Sequence, residues 1–142
     1  MSDSSDLDRF VRAQETNYTQ ALSELRGGRK RTHWMWYVFP QLEGLGSSPM
    51  AVRYAISDLG EAKAYLAHPV LGPRLVECAE AVLQHGGLTA SALFGYPDDM
   101  KLRSSATLFA SVSPAGSVFH RILDTFFQGR PDEASLRLLQ SQ

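Results

Sequence analysis

The densest group of reactive side chains lies at positions 26–36, where the sequence reads RGGRKRTHWMW. Four cations occur within its first six residues, and a histidine and two tryptophans follow. Guanidinium and ammonium groups bind phosphate or carboxylate, an indole face stacks on flat rings, and an imidazole transfers protons near neutral pH. The segment therefore contains the parts of a site for an anionic, partly aromatic ligand. Its candidate binding residues are Lys30, Arg31, His33, Trp34 and Trp36.

The same segment also fits a second interpretation, a solvated basic loop followed by a hydrophobic anchor, because runs of charge usually face water. Thr32 is predicted to be the N-cap of a short helical turn from His33 to Phe39, and Pro40 would end that turn. Backbone N–H groups at such a helix start would add affinity for an anion. The two interpretations differ in whether the tryptophans face a ligand or the core.

A second segment, at positions 97–109, reads PDDMKLRSSATLF. Lys101 precedes Ser104 by three residues and Ser105 by four, so the three side chains are neighbours on one face of a predicted helix. A lysine beside hydroxyl groups can bind phosphate and can in principle activate a serine. The alternative is an ordinary helix N-terminus, in which the two preceding aspartates interact favourably with the helix dipole.

The histidines and the cysteine do not indicate a metal site. No pair among the four histidines has the spacing of a helical metal site. Cys78 is the single cysteine, which excludes an internal disulfide and a cysteine-rich zinc site. The sequence therefore predicts no metal and no cofactor.

Composition favours one folded domain. The 142 residues are 44% hydrophobic and 20% charged, which excludes a wholly disordered chain. Two domains would each fall below the usual domain size, so we expect a single domain over residues 1–142, with residues 1–5 as a flexible tail. The net charge of −1 gives no general attraction to nucleic acid or to anionic lipid.

The chain shows no pattern of membrane insertion or export. It has no run of about 18 apolar residues, so no membrane span is expected. The acidic N-terminus lacks the basic and apolar regions of a secretory signal. Together with the single cysteine, these features predict a cytoplasmic protein, and nucleic acid is a disfavoured partner.

Apolar residues recur at helical spacing along most of the chain. A helix is predicted over residues 5–26, with Gln14 on its apolar face, where a buried amide needs hydrogen-bond partners. Residues 33–39 also suit a strand, but no partner strand is evident, so a helical turn is preferred. The pattern predicts an all-α fold, a single compact domain of seven or eight irregularly packed helices. Further helix starts are predicted at Ser48, Asp58, Thr89 and Asp132, and near Gly72.

Three segments resemble a known family: AQETNYTQALSELRGGRKRTHWMWYVFPQLEGLG, AYLAHPVLGPRL and FGYPDDMKLRSSATLF. Together they are similar to the bacterial family called domain of unknown function 1810, over about residues 7–139. The resemblance implies a single, mainly α-helical domain, and it brings no established activity and no agreed catalytic residues. Some members are labelled calpastatin, but a calpastatin-like inhibitor is disordered until it folds on its target. The core-forming composition of this chain argues against that label.

The segments that carry the resemblance are rich in polar and aromatic side chains. If the helices fold back on each other, residues 33–41 and 101–105 would line one cleft. The first hypothesis is that this cationic, aromatic cleft binds or processes a small phosphorylated or nucleotide-like ligand. The alternative is a non-enzymatic protein-interaction module whose basic loop docks an acidic partner. The full set of candidate ligand-binding residues is Gln14, Tyr18, Lys30, Arg31, His33, Trp34, Trp36, Gln41, Lys101, Ser104 and Ser105.

Overall fold

The structure, a computed structural model, describes residues 7–142. The expected tail over residues 1–5, and the first residues of the expected N-terminal helix, lie outside this range. The described residues form nine helices and no strand, which confirms the all-α prediction. The helices are α1 Asp8–Arg26, α2 Met35–Val38, α3 Pro49–Arg53, α4 Leu59–Ala67, α5 Leu71–Leu83, α6 Ala90–Phe94, α7 Asp98–Ala110, α8 Val118–Phe127 and α9 Glu133–Gln140.

Most helix starts are set by a side chain that caps the free backbone N–H groups. In four predicted cases the capping oxygen accepts a hydrogen bond from the N–H three residues later, as the sequence indicates. These caps are Ser48 for α3, Asp58 for α4, Thr89 for α6 and Asp132 for α9. The α5 helix differs, because it begins at Leu71 rather than at Gly72–Pro73, and its first N–H groups donate to Nδ1 of His68.

Two long helices organise the packing. α5 contacts α1, α4 and α8, and α7 contacts α4, α6, α8 and α9. Edge-on and tilted rings run through the centre, joining Phe10 to Tyr65 at 5.1 Å between centroids and Tyr65 to Phe109 at 5.4 Å. Such ring pairs add to the free energy of burial itself. The core therefore connects the N-terminal helix to α4 and α7 through aromatic side chains. No helix among residues 7–142 has the length and apolar character needed to cross a membrane.

The turn between α4 and α5 depends on a glycine. A Cβ built on Gly72 would lie 2.0 Å from the backbone oxygen of Leu66, far inside van der Waals contact. The two helices approach this closely only because position 72 has no side chain. By contrast, a Cβ on Gly87, after α5, meets no atom within 4 Å.

We expect Gly72→Ala to lower the free energy of unfolding by about 3 kcal/mol, because the new methyl group must displace backbone rather than a flexible side chain. This reverses the usual gain of about 1 kcal/mol for alanine over glycine within a helix. Gly87→Ala is the control and should change stability by less than about 0.5 kcal/mol. Urea unfolding measures both, and equal effects of the two substitutions would contradict the close approach.

Candidate functional site

Glu24, near the end of α1, is the centre of the predicted anion-binding loop. One oxygen of its buried carboxylate accepts hydrogen bonds from the backbone N–H of Arg31 at 2.7 Å, the N–H of Thr32 at 3.0 Å and the indole N–H of Trp34 at 2.9 Å. The other oxygen accepts from the Thr32 hydroxyl at 2.6 Å and from the Gln20 amide at 2.9 Å. The loop does collect donors for an anion, and the anion is a side chain of the same protein.

Thr32 is not a helix cap, and that prediction was wrong. The α2 helix begins at Met35, its N-cap position is Trp34, and no side chain caps it. The Thr32 hydroxyl donates to Glu24 instead. A hydroxyl that donates to a carboxylate makes a charge-assisted bond, which is stronger than a neutral capping bond.

The hydrogen bonds around Glu24 control its ionisation. Burial alone would raise the pKa of this carboxyl, but the bonds from Thr32, the Arg31 N–H and Gln20 outweigh burial and lower its pKa from 4.5 to about 2. Glu24 is therefore a buried anion at neutral pH, and its charge stabilises the folded chain.

Two distant segments of the chain meet at a carboxylate. The ammonium group of Lys30 lies 2.9 Å from one Asp98 oxygen, and that of Lys101 lies 3.5 Å from the other. Lys30 also donates to the carbonyl of Thr32 at 2.6 Å, and its backbone N–H donates to Leu93 at 2.7 Å. The loop after α1 is thus joined to the start of α7, and two cations share one aspartate.

Each of these lysines also lies over an indole ring. Lys30 is 5.1 Å from the ring centroid of Trp34, and Lys101 is 5.3 Å from that of Trp36. The two pairs differ in access. Trp34 is 1% exposed and the Lys30 side chain 6% exposed, whereas Trp36 is partly exposed and the Lys101 side chain is 25% exposed. The first pair belongs to the core, and the second faces solvent.

The two predicted serines of α7 have different environments. The Ser104 hydroxyl donates to the carbonyl of Met100 one turn earlier, at 3.2 Å. Among residues 7–142, the Ser105 hydroxyl is the only buried side-chain oxygen or nitrogen without a hydrogen-bond partner. Ser105 follows Lys101 by one helical turn and lies on the same side of α7.

Gln14 and Tyr18 make polar contacts from α1, Gln14 to α2, α4 and α5 and Tyr18 to α5. The buried Gln14 amide donates to the carbonyl of Tyr37 at 2.7 Å and to the Tyr65 hydroxyl at 3.0 Å, and it accepts from Arg74 at 3.4 Å. It therefore has the partners that a buried amide requires. Tyr18 lies beneath the Arg74 guanidinium and donates to the Glu77 carboxylate. Burial, together with that bond, raises the pKa of Tyr18 above its usual range.

Three remaining candidates lie at the surface near the two ends of α2. Arg31 and His33 are exposed, and neither side chain has a hydrogen-bond or ion-pair partner in the described part of the chain. Gln41 is partly exposed, and its backbone carbonyl accepts from Ile56 at 2.8 Å. Within the same range, no three histidine, cysteine or acidic side chains form a group that could hold a metal ion.

Sequence reasoning missed Glu24, although the signal was present. Position 24 follows Gln14 by ten residues and Ala21 by three, so it lies on the same buried face of α1. A charged residue on a buried face needs a set of donors, as Gln14 does. The role of Asp98 was also missed, because Lys30 and Asp98 are far apart in the sequence and meet only in the folded chain.

Comparison with known proteins identifies relatives of unknown role. A family model described as "Protein of unknown function (DUF1810)" matches residues 4–139. The crystal structure of the conserved hypothetical protein Rv1873 from Mycobacterium tuberculosis is 54% identical in sequence and superposes with a TM-score of 0.93. That match covers 95% of this chain and 96% of the mycobacterial chain. No curated protein matches the sequence.

We expect Glu24→Gln to destabilise the protein by about 3 kcal/mol at pH 7, because the folded state loses a carboxylate whose pKa is lowered to about 2. In the wild type this stabilisation is complete above the ordinary pKa of 4.5 and is lost as the pH falls from there towards about 2, because the unfolded chain takes up the proton first.

Urea unfolding from pH 7 to pH 2 measures this effect. The stabilities of the wild type and Glu24→Gln should converge as the pH falls through that window. Glu15→Gln, an exposed position on the same helix, is the matched control and should follow the wild type. A constant difference between the wild type and Glu24→Gln down to pH 2 would refute the role of the ionised carboxylate.

Proposed function

Since this chain belongs to DUF1810, a family whose description is "Protein of unknown function", we propose its function from the site itself. In this proposal the protein binds a small ligand that carries an anionic group and a flat ring. The ammonium group of Lys101 receives the anion, and the exposed part of the Trp36 indole receives the ring. A phosphorylated or nucleotide-like compound has both features.

The observation that carries this proposal is the solvent-facing pair of Lys101 and Trp36. Lys101 shares Asp98 with Lys30, and its 3.5 Å contact is the longer of the two, so Lys101 is the less tightly held cation. An ammonium group over an indole is already partly desolvated, which strengthens its attraction for an anion. Ser105, one turn after Lys101 on α7, is buried, so its unpartnered hydroxyl is not accessible from this surface.

The proposed site is smaller than the one the sequence suggests. Lys30 and Trp34 are held by Asp98, Thr32 and Glu24, and they support the loop instead of contacting a ligand. Arg31 and His33 remain available on that loop as a second cation and a proton donor or acceptor. Gln14 and Tyr18 serve the packing of α1 on α5.

The direct test is thermal unfolding with a panel of nucleotides, sugar phosphates and inorganic phosphate. A ligand present at 100 times its dissociation constant should stabilise the wild type by about 2.7 kcal/mol. Lys101→Met keeps the length of the side chain and removes its charge, so it should abolish most of this shift. Lys63→Met, at an exposed lysine on α4, is the control and should retain it. A flat response of the wild type across the panel, or a shift unchanged in Lys101→Met, would refute the proposal.

A second candidate function is docking of an acidic protein partner on the loop after α1. The guanidinium groups of Arg29 and Arg31 favour it, because both are exposed and neither has a partner among residues 7–142. Rim charges of this kind steer association and set its dependence on salt. This function needs no cavity and leaves Trp34 in the core.

Two sets of variants distinguish the two candidate functions. Reversing both charges, as Arg29→Glu with Arg31→Glu, should abolish capture of an acidic partner and leave the ligand-induced thermal shift largely in place. Lys101→Met should do the reverse. A complex that survives the double charge reversal in a pull-down at physiological salt would exclude the basic loop as its docking surface.

A further inference from the structure

A groove follows the outer face of α5, and neither Lys101 nor Trp36 is among its lining residues. It consists of two adjoining depressions of about 620 and 310 Å³ that share Glu80. Along α5 its lining residues recur at helical spacing, with two glutamates between apolar side chains on either side. They are Leu66, Gly72, Pro73, Val76, Glu77 and Glu80 in the first depression, and Glu80, Leu83, Gln84 and Arg121 in the second.

The charged side chains that line the groove are Glu77, Glu80 and Arg121, and the first depression contains the two carboxylates and no cation. Glu80 is exposed, and its carboxylate has no hydrogen-bond or ion-pair partner in the described part of the chain. Glu77 accepts a hydrogen bond from the Tyr18 hydroxyl and forms an ion pair with Arg26 at 3.3 Å. Its negative charge at the surface is therefore partly offset. The Arg74 guanidinium is turned inward over Tyr18 and towards Gln14, whereas the exposed Arg121 lines the second depression together with Glu80.

We infer that this groove docks a basic, amphipathic segment of a partner protein. Apolar side chains of the segment lie on Val76 and Leu83, and its lysine or arginine side chains pair with Glu80 and the exposed side of Glu77. In this binding mode an amphipathic helix lies along a groove and contacts it through anchor side chains at helical spacing. The inference is independent of the function proposed for Lys101 and Trp36.

The shape of the groove favours a peptide over a small molecule. From Pro73 to Gln84 the stripe runs eleven residues along α5, which corresponds to about 17 Å. Small ligands bind in enclosed pockets that bury most of their surface, whereas this groove is open along its length. Two glutamates flanked by the apolar side chains of Val76 and Leu83 are complementary to a segment whose basic residues lie between apolar anchors.

The test uses fluorescence anisotropy of a labelled peptide with leucine and lysine at helical spacing, and of a matching peptide with glutamate in place of lysine. The full-length protein should bind the lysine peptide and not the glutamate peptide. Glu80→Gln should weaken binding about two- to fivefold, and Glu80→Lys should weaken it about tenfold. Glu43→Lys changes the net charge equally at an exposed position outside the groove and should weaken binding less than about twofold.

Backbone amide shifts in NMR locate the contact, and folding of each variant is verified in the same spectra. Shifts concentrated at Leu66, Val76 and Leu83 support the proposal. Equal weakening by Glu80→Lys and Glu43→Lys would overturn it, because the attraction would then be one of net charge alone. Equal binding of the glutamate peptide, full displacement of the lysine peptide by spermidine, or a dimer that Glu80→Lys dissociates would each overturn it as well.

Discussion

The ionised carboxylate of Glu24 is the interaction on which the rest of the candidate site depends. Burying a carboxylate without partners costs several kcal/mol, and five donors from α1 and the following loop remove that cost. The donors are separated by up to fourteen positions along the chain, from Gln20 to Trp34. Because a fixed carboxylate must be met from fixed directions, these bonds set the path of the loop and the orientation of the first indole.

The consequences extend from this loop to the other half of the molecule. With Trp34 held against Glu24, Lys30 lies over its ring and reaches Asp98 at the start of α7. Asp98 then holds Lys101 within reach of Trp36. The solvent-facing pair proposed to bind a ligand is thus the last member of a series of contacts that begins at a buried anion. A change at Glu24 would reach Lys101 without any direct contact between them.

The sequence predicts the parts of this arrangement that arise from local periodicity. Amphipathic spacing locates the helices, and Ser48, Asp58 and Thr89 mark their starts, because caps act over three residues. Local spacing does not reveal which of two tryptophans faces solvent. Trp34 and Trp36 are two positions apart in a short helical segment, and their difference is set by the Glu24 bond to one indole. Local spacing also does not show that Gln14 and Tyr18 lie apart from the other candidate residues. Their neighbours include Arg74 and Glu77 of α5, which only the packing of α1 on α5 brings close.

The near-zero net charge of the chain hides a separation of charge on its surface. The loop after α1 presents Arg29 and Arg31 without partners, and the outer face of α5 presents Glu80 without one. Arg26 at the end of α1 and Glu77 on α5 form an ion pair in which their charges offset each other. The charges of Arg29, Arg31 and Glu80 are not offset in this way. The formal charge of −1 therefore does not describe the charge of either region, which the overall composition alone would not indicate.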